Sequence, residues 1–308
     1  EGGGPSGCGC RAVGVARRRA LRPPGVGRAR PGAWRRAVSA EKVTKSRGPD
    51  VADARGVGGV ADEELEGVDL SGGWAALDGA EPSAPAGLRA FIARFSKFGL
   101  RPEAVSPVYG LSEAALAVTF WPLDRPFRSV AFDRRSLAEG NGTVAMEDDP
   151  HPMELPSLGP PLEGFAIEIR DDAGEAVAEA REGRIHVKGP SVMSGYLGRE
   201  HQPIEDGWLD TGDLGLLLGG ELFITGRAKD VIVIRGQNHR PWEIERATDA
   251  VAGGRTRCRA AVGDPRDAAA PRLLFAQPRA LPPPPAVDFT TPVATVPALS
   301  VCHVPLLG

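Results

Sequence analysis

Several short runs of this chain gather glycine, hydroxyl, carboxylate and aromatic residues at spacings suited to a phosphorylated ligand. Tyr109-Gly110-Leu111-Ser112-Glu113 follows an apolar run over residues 104–108. A strand that ends this way places free backbone N–H groups, a hydroxyl, a carboxylate and an aromatic face around one point. Phosphate suits the first two, Mg²⁺ suits the carboxylate, and a purine suits the ring. A capped helix start with Glu113 in its first turn explains the same five residues without any ligand. The chain holds only 2 tyrosines, and both stand in glycine-containing turns, Tyr109-Gly110 and Gly195-Tyr196. Asp213 closes Asp206-Gly207-Trp208-Leu209-Asp210-Thr211-Gly212-Asp213, and Arg227 and Asp230 lie in Gly226-Arg227-Ala228-Lys229-Asp230. Alone, Asp213 reads equally as a turn carboxylate capping Thr211 or Gly215, and Arg227 as a surface charge.

The elements that must position these groups follow from periodicity. Leu88, Phe91, Ile92, Phe95 and Phe98 recur at helical spacing, with Pro85 near the start and Gly99 just past the end. That stripe reads as core packing. Residues 104–108 read as a buried strand feeding a helix over 113–120. Residues 166–170 and 184–188 alternate as strands around the turn Asp171-Asp172-Ala173-Gly174. Two further strands are expected at 221–225 and 231–235. A helix follows in which Pro241 occupies the first turn and Ile244, Ala247, Thr248 and Val251 share a face. Strands and helices alternate, so the expected class is α/β or a mixed composite.

The flanks differ from this centre. Residues 1–60 carry 13 basic against 4 acidic residues, while the whole chain has a net charge of −3. Nine arginines and no acid lie within residues 11–36, a composition that buries too little surface to offset chain entropy. Pro23 and Pro24 argue against the amphipathic helix of a transit peptide. Residues 277–297 contain Pro278, Pro282, Pro283, Pro284, Pro285, Pro292 and Pro297 and read as a polyproline-like tail. The 4 cysteines include no C-x₂-C pair and make no disulfide framework. They read as reduced thiols in a cytoplasmic protein. No apolar run reaches the ~18 residues of a membrane span.

In order along the chain, Gly79-Ala80-Glu81-Pro82, the Tyr109–Glu113 run, residues 183–196 from Gly183 to Tyr196, the Asp206–Asp213 run and residues 226–230 resemble the adenylate-forming superfamily. That superfamily includes acyl-CoA synthetases, luciferases and peptide-synthetase adenylation domains. The stretch around Asp69-Leu70-Ser71, residues 98–104 and Arg235-Gly236-Gln237-Asn238-His239 are similar more specifically to fatty-acyl-AMP ligases. The resemblance covers residues 61–263. It implies that Gly79, Ala80, Glu81 and Pro82 line an adenine pocket and that Tyr109, followed by Gly110, stacks on the purine. Ser112 would approach the α-phosphate, Glu113 would hold Mg²⁺, Asp213 would accept from both ribose hydroxyls, and Arg227 would also reach the ribose. Asp230 matches the hinge of a small C-terminal domain. ATP and Mg²⁺ are the implied cofactors. A fatty acid is the implied substrate, and an acyl carrier protein or polyketide synthase the implied thiol partner ahead of CoA.

The domains expected are therefore a low-complexity segment over 1–60, the C-terminal part of an AMP-binding adenylation domain over 61–226, a hinge and truncated small α+β domain over 227–270, and a Pro-rich tail over 271–308. Two parts of the family pattern are missing. No Ser/Thr/Gly-rich loop followed by lysine precedes Gly79, and Lys229 is the last lysine, so the small-domain lysine has no counterpart. These gaps imply a fragment without turnover of its own. A non-catalytic adenylate-binding module supporting a lipid or polyketide synthase is a second expectation. A nucleic-acid binder using the arginines of 11–36 is a third.

Overall fold

In the computed structural model of this chain the described residues are 39–40, 42, 45–48, 60–79, 84–234, 237–248, 254–262, 272–278 and 300–304. The first layer begins with strands β1 (Lys45–Gly48) and β2 (Ala75–Asp78), continues through helix α1 (Pro85–Ser96), and ends with β3 (Val105–Tyr109) and β4 (Thr119–Phe120). They form one sheet in the order β1-β2-β3-β4, parallel up to β3 and antiparallel at β4.

Helix α1 forms where its stripe requires. Pro85 occupies the first turn, and Leu88, Phe91 and Phe95 are buried against Leu65, Val68, Leu70, Leu100 and Val105, while Ile92 and Phe98 pack on the rim. Each fully buried side chain of this size contributes about 1.5–3 kcal/mol. Gly99 ends the run at φ +89°, a left-handed conformation that a side chain resists.

The next elements are β5 (Ser129–Phe132), α2 (Arg134–Ala138), β6 (Met153–Pro156), β7 (Ala166–Arg170), β8 (Gly183–Lys188), β9 (Ile204–Glu205), β10 (Trp208–Leu218) and β11 (Glu221–Arg227). Antiparallel β11-β10-β8-β7 is the larger sheet, with β9 paired to β10, and β5 pairs with β6. Its two faces meet different cores. Ile169, Ile185, Val187 and Leu222 pack with Tyr109 and Val118, whereas Leu216 and Phe223 pack with Phe132, Leu137, Met153 and Leu155. This sheet therefore joins the Tyr109 strand to β5, α2 and β6. Then come β12 (Ile232–Ile234), β13 (Gln237–His239), α3 (Pro241–Thr248), β14 (Gly254–Val262), β15 (Arg272–Pro278) and β16 (Ser300–Val304). β12 and β13 form a hairpin, and β14-β15-β16 form an antiparallel sheet.

The mixed α/β class and the strands at 104–108, 166–170, 184–188 and 221–225 are found within a residue or two of expectation. Strand β1 lies within the segment read as low complexity, and β15 and β16 lie within the Pro-rich tail. Of these, β1 and β16 are edge strands and β15 is the centre of its sheet. One expectation is corrected. The helix expected over 113–120 is absent. Ser112–Ala114 make one 3₁₀ turn, and Ala115 and Leu116 turn left-handed at φ 54° and 85°. The chain then doubles back so that Val118 N–H donates to Tyr109 C=O at 3.0 Å. Gly110 makes this reversal possible, because a Cβ there would lie 1.2 Å from the Leu116 carbonyl oxygen.

Candidate functional site

Strand β3 ends at Tyr109, whose ring is buried and whose hydroxyl donates to Asp213 Oδ2 at 2.8 Å. Burial, reinforced by the charge of Asp213, pushes the Tyr109 phenol well above its ordinary range, so it stays a donor. Arg227 Nε donates to the other oxygen, Oδ1, at 2.9 Å. Asp213 is only 8% exposed, and the two donors fix its carboxylate.

Two irregularities of the larger sheet aim these groups. Between Asp210↔His186 and Leu214↔Arg184, β10 runs through Thr211, Gly212 and Asp213 while β8 supplies only Ile185. Gly212 takes φ +73° in this bulge, and Thr211 Oγ1 donates to Ile185 C=O at 2.8 Å. A bulge re-aims the side chain it carries, and here that side chain is Asp213. Across β11, Leu214 faces Gly226 and Gly215 faces Ile224, leaving Thr225 as the extra residue. Its carbonyl accepts from Trp242 Nε1 at 2.9 Å.

Glu113 lies in the 3₁₀ turn after Tyr109. Tyr196 Oη donates to Glu113 Oε1 at 2.5 Å, and this bond, with help from Arg227, holds the Glu113 carboxyl below its ordinary range. The loop bearing Tyr196 wraps the turn. Met193 N–H donates to Glu113 C=O at 2.7 Å, and Ser191 Oγ donates to Ala114 C=O at 2.9 Å.

Tyr109, Gly110, Asp213, Arg227 and Asp230 line one cavity of about 350 Å³, together with Leu155, Ile224, Arg240 and Trp242. That size suits a nucleoside-sized ligand. Helix α3 forms part of its wall and is pinned to the body of the molecule. Arg240, 2% exposed, donates from Nη2 to Glu182 Oε1 at 2.5 Å, and Arg134 pairs with Glu243. Burial outweighs those cations and raises the Glu243 carboxyl.

Of the expected residues, the structure brings Tyr109, Gly110, Asp213, Arg227 and Asp230 to one cavity. Ser112 and Glu113 stand on the adjoining turn. Gly79 directly follows β2 and lies against β3, where a Cβ would meet Val108 Cγ2 at 2.8 Å. Ala80, Glu81, Pro82 and Gly236 lie outside the described residues. Asn238 and His239 belong to β13. Sequence reasoning missed Trp242 and Arg240, whose only signal was their place in the turn before and at the start of α3. It also missed the link between Tyr196 and Glu113, 83 residues apart. Among the described residues no cluster of three or more His, Cys, Asp or Glu could hold a metal. No described helix is long and apolar enough to cross a membrane.

The family described as "AMP-binding enzyme" matches residues 20–197. The long-chain-fatty-acid--AMP ligase FadD26 of Mycobacterium tuberculosis is 32% identical over 269 residues, which are 82% of this chain and 46% of that protein. The medium-chain-fatty-acid--[acyl-carrier-protein] ligase JamA of Moorena producens is 35% identical over 230 residues, 70% of this chain and 39% of that one. A solved structure from a study of fatty acyl-adenylate ligases from E. coli and L. pneumophila superposes with a TM-score of 0.77 at 33% identity. It covers 82% of this chain and 46% of that one. The chain thus spans less than half the length of the curated relatives it matches. It belongs to the AMP-binding enzyme family, and within it to the group of fatty-acyl-AMP ligases and acyl-CoA synthetases.

Proposed function

We propose that this chain carries the adenosine half of a site that activates a fatty acid as its acyl-AMP. The observation that carries this reading is Asp213, held between Tyr109 and Arg227 on the wall of the cavity. A carboxylate has about four acceptor sites, two per oxygen. Tyr109 occupies one on Oδ2 and Arg227 one on Oδ1. Each oxygen keeps one acceptor site, which matches the two hydroxyls of a ribose. The Tyr109 ring faces a purine, and Ser112 approaches the α-phosphate. Mg²⁺ favours one or two carboxylates plus substrate phosphates over an all-protein cage. The lone, ionised Glu113 carboxylate fits a Mg²⁺–nucleotide and not a free cation. When bound, Mg²⁺ supplies charge neutralisation on the phosphates.

In the reaction a fatty carboxylate oxygen attacks the α-phosphorus of ATP, the bond to the β-phosphate oxygen breaks, and pyrophosphate leaves. A phosphopantetheine thiol then attacks the acyl carbonyl and AMP departs. The thiol belongs to an acyl carrier protein or polyketide synthase ahead of CoA, and Asp230 serves as the hinge between the two steps. These residues act by positioning and by neutralising charge. The 308 residues alone bind the adenylate without forming it, since they hold no counterpart of the phosphate loop or of the small-domain lysine. The intact Asp213 arrangement in such a chain also favours a second reading, a non-catalytic adenylate-binding module.

Calorimetry with a non-hydrolysable acyl-adenylate analogue tests the proposal. The unmodified chain binds, and Asp213→Ala loses binding by about 10-fold or more, as expected for a charge-assisted hydrogen bond. Equal binding by both proteins, or none by the unmodified chain, refutes it. Pyrophosphate exchange at rates typical of complete ligases would refute the absence of turnover.

A further inference from the structure

We propose that Tyr196 is a positioning residue for Glu113, fixing the direction in which that carboxylate presents its second oxygen to a nucleotide-bound divalent cation. The inference rests on the adenylate reading of the site. Both tyrosines of this chain donate to a site carboxylate, Tyr109 to Asp213 and Tyr196 to Glu113. The hydrogen bond to Oε1 restricts rotation of the carboxylate and so the direction of Oε2.

The surrounding loop is built to hold that phenol. Gln202 clamps the Tyr196 backbone from both sides, accepting from its N–H at 2.7 Å and donating to its C=O at 2.9 Å. The same amide donates to Arg199 C=O at 2.8 Å, and the Arg199 guanidinium lies 4.5 Å from the centre of the Tyr196 ring. Gly195 takes φ +148°, and a Cβ there would meet Gln202 Oε1 at 2.9 Å. That backbone angle favours glycine where the clamp closes. The main-chain bond from Met193 to Glu113 ties the loop to the turn independently of the phenol. Loss of the hydroxyl therefore frees the carboxylate without freeing the backbone.

The test is calorimetric titration of AMP in EDTA, and of ATP in EDTA and in excess Mg²⁺, into the unmodified chain, Tyr196→Phe and Gln202→Ala. The unmodified chain gains ATP affinity with Mg²⁺. Tyr196→Phe loses about 10-fold of that gain, in line with one hydrogen bond to a charged group, and keeps its AMP affinity in EDTA. Gln202→Ala loses part of the gain. A Tyr196→Phe protein that retains the whole gain overturns the inference. So does one that weakens AMP in EDTA as much as ATP with Mg²⁺, which marks a general structural role. An unmodified chain that binds AMP without any Mg²⁺ gain overturns the inference and leaves the adenylate reading standing. One that binds no AMP overturns both.

Discussion

Replacing Glu182 with leucine probes the attachment of α3 to the rest of the molecule. The Arg240 and Glu182 side chains are 2% and 6% exposed, and their ion pair spans 2.5 Å. Removing one partner of a buried pair costs about 3–5 kcal/mol, because the other charge stays buried and uncompensated. Two weaker partners remain to Arg240, the Leu137 carbonyl at 3.4 Å and Glu243 Oε2 at 4.0 Å, so the lower end, about 3 kcal/mol, is expected. For a folded unit of 150–250 residues this corresponds to a loss of about 6–12 °C in the melting midpoint. Urea denaturation of the Glu182→Leu chain, followed by circular dichroism, measures the free energy, and a thermal scan measures the midpoint. Adenylate affinity falls as well, since Arg240 lines the cavity. The double variant Glu182→Leu/Arg240→Met recovers most of the loss by removing both charges. The reasoning fails if the single variant costs less than about 1 kcal/mol, or if the double variant is no better than the single.

Two further perturbations address the Tyr109 strand. Gly110→Ala forces the backbone apart at Leu116 and costs about 3 kcal/mol or more together with adenylate binding. Gly72→Ala, whose Cβ meets nothing within 4 Å, stays within about 0.5 kcal/mol in the same urea titration. The Tyr109 phenol has a raised folded-state pKa, so its contribution is full below the ordinary tyrosine pKa of about 10 and is lost as pH rises above it. Alkaline unfolding curves should therefore steepen above pH ~10, and Tyr109→Phe should remove that part of the slope.

The sequence reveals this site where chemistry and local pattern coincide. Tyr109, Asp213 and Arg227 stand in runs dense enough to be recognised, and helix α1 declares itself through an unbroken apolar stripe. Periodicity failed where a single contact overrode it. The helix expected after Ser112 gives way because Gly110 admits the Leu116 carbonyl, and nothing in residues 113–120 announces that contact. Strand β10 was legible as a motif but not as a strand, since Thr211, Gly212 and Asp213 interrupt its alternation. Arg240 looks like any surface charge until Glu182, 58 residues earlier, is placed against it. Tyr196 and Glu113 are likewise joined only by the tertiary fold. Pairings of this kind carry no periodic signal.

The bulge at Thr211–Asp213 makes β10 sensitive to its own length as well as to its composition. Leu216 packs into the core around Phe132, whereas Leu217 packs into the core around Tyr109. Deleting one residue of the bulge would move the following strand by one position along its partners and exchange these two faces. Leu217 would then be offered to the Phe132 core and Leu216 to the Tyr109 core. The same deletion would withdraw Asp213 from Tyr109. Among variants of this chain, substitutions along the partly buried positions of β10 should be far commoner than insertions or deletions between Asp210 and Leu214. Alignment gaps should stop at that boundary, because the spacing there keeps both cores and the carboxylate in register.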